Sequence, residues 1–387
     1  MRKVSKGIAP SALDRIVAYL ENRRAKSMVK IGGLLVLLIV ALGLPQVFSD
    51  PLTTDVAVLA LLYAAAATGW NIFSGFTGYI ALGHAVYFGV GSYAIALLAQ
   101  DWNVPGGYEP FLLVPLAGLI AAAFAVPFGW IALRTRRHTF VVITIATFFI
   151  MQLMAYNLRN ITNGSAGLSL PLPSYDWGKN FNLPLYSFFN LPFYYVALAI
   201  LLLALGTAWW IRNSKYGLSL LAIRDDEDRA LGLGVKTGPF KLIAFVLSAF
   251  FVGMVGAVHA YFQGSIFPPF AFDALFDVSI ALMGFMGGLG TLSGPILGAI
   301  ILVPAQQYST LWLSDSGFYL IAYGALFLAV ILLLPEGIVP TLRKLWLKWR
   351  ASRSNIQEIP TAVTPTNGNQ EDILVAEGPG RRDGVNL

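Results

Sequence analysis

The chain has 387 residues, 57% of them hydrophobic and only 12% charged, with a mean hydropathy of +0.68. Soluble domains carry about twice that charged fraction, so the composition excludes one and points to an all-α polytopic membrane protein. The absence of cysteine excludes disulfides, thiolate metal sites and cysteine nucleophiles, and the net charge of +6 is explained below by topology rather than by nucleic-acid binding.

Residues 1–30 form a basic segment carrying Arg2, Lys3, Lys6, Arg15, Arg23, Arg24, Lys26 and Lys30. Within it, Leu13, Ile16, Val17 and Leu20 follow helical spacing over 11–24, and Ser11 with Asp14 resembles a capping box. The expectation is a helix lying on the inner membrane surface. The basic stretch is too long for a cleaved signal, and no small-residue cleavage site follows it.

A transmembrane region spans 31–340. A membrane helix needs roughly 20 apolar residues. Candidates lie near 31–49, 53–73, 79–99, 111–133, 139–157, 191–211 and 239–262, then in a glycine-broken region at 275–312, then near 316–334. The count is about nine to ten transmembrane helices, ten if the broken region makes two. The segment 275–288 is short for a span and reads as a half-helix or re-entrant piece.

Lysine and arginine accumulate on the cytoplasmic side. With the N-terminus inside, Arg134, Arg136 and Arg137 fall inside, as do the basic residues of 212–241 and Arg343, Lys344, Lys348 and Arg350. Only Arg159 and Lys179 fall outside, so 24 of the 26 basic residues agree and both termini are placed in the cytoplasm. Asp50, Asp55, Asp101, Glu109, Asp176, Asp273, Asp277 and Asp315 land outside. Trp70, Trp130, Trp209 and Trp210 stand at span ends, where an indole keeps its ring in lipid and its N–H wet. The tail 341–387 is cytoplasmic, and its Pro, Gly, Asn and charge content predicts disorder.

The spans lack ionisable groups: 56–100, 111–133, 139–158, 183–211, 242–272, 278–314 and 316–335 contain no Asp, Glu, Lys or Arg. Ion pumps usually need one as a relay, and here only His84 and His259 are candidates. Each is more readily read as an interhelical hydrogen-bonding residue. There is no HExxH, GxSxG or Walker A pattern; "GLGVKTG" (232–238) has Val235 where the glycine before the lysine belongs.

Two glycine-rich stretches remain: "SGFTGYIALGHAVYFGVGSYA" (74–94) and "GGLGTLSGPILGA" (287–299). Close helix packing through small residues explains them. So does a pair of chain breaks facing a pathway. The candidate pathway or break positions are Gly75, Gly78, Tyr79, Gly83, His84, Gly287, Gly288, Gly290 and Gly294.

Residues 213–238 form the longest inner segment between spans. "LSLLAIRDDEDRAL" predicts one short helix with Leu218, Leu221 and Ala222 on one side, ended by Gly232 and Gly234. Asp225, Asp226, Glu227 and Asp228 would face water or a partner. A solvated, topology-setting loop explains them poorly, because acids contribute little to topology and like charges repel. A partner with a basic surface gives the run a use.

At this point a resemblance enters. "GFTGYIALGHAVYFGVGSYA", "NGSAGLSLP" (163–171), "LLAIRDDEDRALGLGV", "FKLIAF" (240–245), "ALMGFMGGLGTLSGPILGA" and "LPEGI" (334–338) occur in this order. Together they resemble permease subunits of bacterial branched-chain amino acid ABC importers of the LivM type, over about 30–340; urea and amide permeases are related. The resemblance implies a second permease subunit, two cytoplasmic ATPase subunits, an extracytoplasmic solute-binding protein and a place in the inner membrane. It implies no cofactor in this chain, with ATP and Mg on the partners. It further implies that the loop 212–238 couples to the ATPase, with Arg224, Asp225, Asp226, Glu227, Ala230 and Gly232 matching the family segment. The outer loop 158–190 would receive the binding protein or the released solute. Tyr79 and Ala81 depart from the Gln and Ser the family often carries, which leaves the solute open. A stand-alone secondary transporter and a channel or membrane scaffold are the alternatives.

Overall fold

The computed structural model describes residues 41–43, 45, 50–171, 185–313, 324, 325, 328, 332 and 337–354. The amphipathic helix at 11–24, most of the span near 31–49, nearly all of that near 316–334 and the tail beyond 354 lie outside the described residues. The body of the chain runs to Leu342, and a second unit begins at Arg343.

Helix α1 (Pro51–Trp70) starts on Asp50, whose carboxylate accepts Thr53 N–H at 3.2 Å, with Pro51 in its first turn. It runs on through a five-residue π-turn, Asn71–Gly75, to Gly78, whose φ of +72° suits glycine. Residues 79–83 are not helical, contrary to the span expected at 79–99, and α2 begins only at His84 (His84–Asp101). The open backbone is bonded instead of helical. Trp70 Nε1 donates to Ala81 O (2.8 Å), while Ala81 N and Leu82 N donate to the hydroxyls of Ser74 and Thr144. Trp70 is therefore buried and bonded rather than interfacial, whereas Trp130, Trp209 and Trp210 are exposed.

Next come α3 (Pro110–Ala132) and α4 (Arg137–Asn157). A turn through Asn163 and Gly167 leads to β1 (Leu168–Ser169). Helix α5 (Leu185–Arg212) is followed by two short helices, α6 (Lys215–Asp225) and α7 (Glu227–Gly232), and by the long α8 (Thr237–Gln263). β2 (Ser265–Ile266) pairs antiparallel with β1, Leu168 opposite Ile266. After a helical turn at Pro268–Ala271 come α9 (Ala274–Gly287), a second break at 288–293 and α10 (Gly294–Leu313). The last described helix is α11 (Ile338–Ser354), which runs into the tail begun at 341. Its Leu and Trp residues alternate with Lys and Arg in a pattern a helix can sort into faces.

Among the described residues six helical stretches are long and apolar enough to cross a membrane. They are Leu52–Gly75, Pro110–Ala132, Arg137–Asn157, Leu191–Arg212, Thr237–Gln263 and Pro268–Gly287. The protein is thus an all-α, multi-pass membrane protein. The segment expected to begin at 275 is lengthened by the turn from Pro268, which brings it to 20 residues. At the centre, α8 packs on α2 and α3 with backbones in direct contact. A Cβ on Gly91 would collide with the Gly253 carbonyl, and one on Gly256 with Phe88 O.

Two buried polar residues, His84 and Asp277, stand at helix starts. Asp277, in the first turn of α9, accepts the His84 N–H at 2.8 Å and so caps α2 from another helix. Asp277, counted on the outer side from the sequence, is 5% exposed. His84 Nε2 lies 2.6 Å from Ser248 Oγ, near the middle of the 27-residue α8. Helix α2 therefore begins partway through the bundle, not at its surface.

Candidate functional site

The inner segment 213–238 is not one helix. Asp226 breaks it with extended φ and ψ (−158°, 112°) and caps α7 by accepting Arg229 N–H at 3.1 Å. An exposed ion pair, Arg229 Nε to Asp226 Oδ2 at 2.9 Å, closes the same turn. The buried face of α6 is Gly217, Leu220 and Ile223, not Leu218, Leu221 and Ala222, because Gly217 lies directly on the Ile211 carbonyl. Leu218, at 65% exposure, points outward.

Arg224 ends α6 and reaches both chain breaks. Its Nη1 donates to Gly75 O at 2.8 Å. Its stem lies over Gly78, where an added Cβ would sit 3.0 Å from Cγ, and its guanidinium lies against Gly290. Asn71 ties the breaks to each other: Nδ2 donates to Thr291 O and Oδ1 accepts Gly290 N–H, both at 2.9 Å. Arg137, from the start of α4, donates to Ile223 O (2.9 Å) and Arg224 O (2.7 Å), a cation on the C-terminal carbonyls of α6. Gly287 packs on Gly294, and Gly337 on Gly288.

Glu227 starts α7 and turns inward, although the sequence suggested that all four acids face water or a partner. Tyr79 O–H donates to its Oε2. Lys241, on α8 and only 3% exposed, donates to Oε1 at 2.5 Å and to Tyr79 Oη at 3.2 Å. Burial pushes the Glu227 carboxyl up, but hydrogen bonds from Lys241 and Tyr79 outweigh it and hold it below the usual carboxylate range. Asp225 and Asp228 remain exposed beside Leu231 and Leu233, while Ala230 is buried and a Cβ added at Gly232 would meet open space.

The structure thus brings Gly75, Gly78, Tyr79 and Gly290 together with Arg224 and Glu227. Gly83 and His84 belong to a separate buried cluster with Thr144, Ser248 and Asp277. Asn71, Arg137, Lys241 and Asp277 were not singled out from sequence. Arg137 and Lys241 had been absorbed into the basic loops. Asp277 and Lys241 also border the charge-free runs, and that position at the rim was the only available signal. Among the described residues no group of three metal-ligating side chains occurs.

Comparison with known proteins gives the class. The family described as "Branched-chain amino acid transport system / permease component" matches residues 52–334. The chain belongs to this family, and so is a transport permease subunit rather than an enzyme. It is 29% identical over 330 residues to the high-affinity branched-chain amino acid transport system permease protein LivM of Escherichia coli K12, covering 80% of this chain and 75% of that protein. It is 27% identical over 290 residues to the corresponding LivH protein of Salmonella typhimurium, covering 73% and 92%. A probable LivH protein of Methanocaldococcus jannaschii is 27% identical over 165 residues, covering 41% and 51%. No solved structure matches the chain significantly.

Proposed function

We propose that this chain is the membrane-spanning subunit of an ATP-driven importer for branched-chain amino acids or related small polar solutes. In this reading it crosses the bacterial cytoplasmic membrane nine to ten times with both termini inside. It works with a second permease, two ATPases that bind ATP and Mg, and an extracytoplasmic binding protein. The pair α6–α7 is the point where the ATPase acts. One observation carries this: an exposed acidic and apolar surface (Asp225, Asp228, Leu231, Leu233) sits on a short element tied inward through Arg224 and Glu227 to both chain breaks and to α8. A loop that merely closed a connection would have no need of those inward ties.

The mechanism follows from the ties. Closure of two ATPases on ATP displaces α6–α7. Arg224 carries the displacement to Gly75 and the 288–293 break, and Glu227 carries it through Lys241 to α8. Helices cannot slide singly past glycine contacts this close, so the bundle switches between packed arrangements. ATP shifts that balance by favouring one of them. Tyr79 and Ala81, the departures from the family motif, are committed to Glu227 and to Trp70. They therefore give no reason to move the solute away from aliphatic amino acids.

The test reverses both outward acids, Asp225→Lys with Asp228→Lys. Solute-stimulated ATPase activity of the assembled complex should fall at least about tenfold, since opposed like charges cost several kcal/mol. Insertion of the chain in the membrane should be unchanged. Undiminished stimulation would remove α6–α7 from the coupling role.

A further inference from the structure

At the opposite end of the bundle from α6–α7, a cavity of about 210 Å³ opens between α2, α8, β2 and the turn at Pro268–Ala271. We infer that it is a binding site for a small solute with an aliphatic body and a hydrogen-bonding end, with His259 as its principal polar contact. The inference rests on the importer reading above and places a solute site within this chain.

Size sets the first limit. The volume equals roughly seven waters at about 30 Å³ each. It falls below the roughly 300–1,000 Å³ of sites for drug-sized ligands, and so suits a single amino acid. Lining chemistry sets the second. Phe88, Ala260, Ile266, Phe267, Phe270 and Ala271 give it a mainly apolar wall, and no Asp, Glu, Lys or Arg lines it. A zwitterion can keep its paired charges at the open rim, where Phe270 is 71% exposed. A charged side chain pushed inward would meet no counter-charge.

The two membrane histidines differ in a way that selects His259. His84 Nε2 is hydrogen-bonded with Ser248 Oγ, and the ring is wholly buried, so its unpartnered Nδ1 is out of reach of a solute. His259 packs its ring at a tilt against Phe88, with centroids 5.3 Å apart, and makes no hydrogen bond among the described residues. It lines the cavity half-buried, with its ring nitrogens unspent. The nearby Ser92 hydroxyl is already committed to Phe88 O and Gly256 O, so the polar side chains left on the wall are the His259 imidazole, Gln263 and Ser265.

The cavity also adjoins the loop expected to meet the delivered solute. β2 forms part of the wall, and β1 from that loop is paired to it. Leu170 N donates to Gly264 O at 3.0 Å, and Gln100 Nε2 holds Ser169 O at 3.0 Å. The basic-residue rule puts this end outside.

The experiment uses the full complex, with both permeases, the ATPases and the binding protein, in proteoliposomes with radiolabelled L-leucine. The chain has no cysteine, so Ser265→Cys places its one thiol on the cavity wall. Leucine should slow labelling by an impermeant thiol reagent at least about fivefold, and glutamate should not. Adding His259→Leu should abolish protection and raise the KM for import about tenfold. His259→Asn, which keeps a donor and an acceptor, should restore both to within about threefold; a merely structural histidine would change assembly and leave KM alone. A Ser265→Cys complex that imports leucine but is labelled equally fast with and without it would overturn this site while sparing the importer reading. A wild-type complex that imports no aliphatic amino acid would overturn both.

Discussion

Lys241 and Glu227 show how a charge can be visible in a sequence and still be misread. Both were plain in the sequence, one as a topogenic base and one as an outward acid. Their pairing was not legible, because it depends on α7 turning at Asp226 so that Glu227 faces α8. Breaking such a pair from one side strands the other charge. Lys241→Met should therefore destabilise the purified chain by about 1–3 kcal/mol, less than for a fully buried pair because Glu227 stays partly exposed. Adding Glu227→Gln should recover part of that loss, as thermal unfolding in detergent would show. The pH dependence has a definite sign. The folded pKa of Glu227 lies below its ordinary 4.5. Its contribution is therefore complete above about that pH and disappears as pH falls through the lower folded value. Wild type should lose its stability advantage over Glu227→Gln as the pH is taken below 4.5; a constant difference down to the folded pKa would rule out the ionised form as the stabilising one.

Among the elements, the long apolar helices were legible, since composition and length alone define them. The breaks were legible only as clusters of glycine. What the glycines permit differs from site to site. Gly91 and Gly256 are packing contacts, while Gly78 allows a positive φ directly beneath Arg224. The π-turn at Asn71–Gly75 left no local signal, because Asn71 finds its partners 219 and 220 residues away. The same holds for α2, whose late start depends on a carboxylate 193 residues along the chain. Gly78→Ala should cost about 1–2 kcal/mol from the left-handed backbone alone and should also push Arg224 from Gly75. Limited proteolysis should then cut 213–236 faster while the flanking helices stay protected. Unaltered cleavage would mean that the break and the inner segment move independently.

For the molecule as a whole, the contacts separate into two ends. Arg137, Arg224, Glu227 and both breaks meet at one; β1, β2, Gly107 with Tyr261 and the His259 cavity lie at the other. Counting basic residues puts Arg137 and Arg224 on the inner side and the loop that carries β1 on the outer side. In the proposed importer force enters at one end and solute at the other, with α8 running between them and Arg224 as the link. The most direct measurement is the number of solute molecules imported per ATP hydrolysed by the reconstituted complex carrying Arg224→Leu. Hydrolysis should continue while import per ATP falls at least about tenfold, the effect of losing roughly 1.4 kcal/mol or more of coupling. An unchanged ratio would contradict the account.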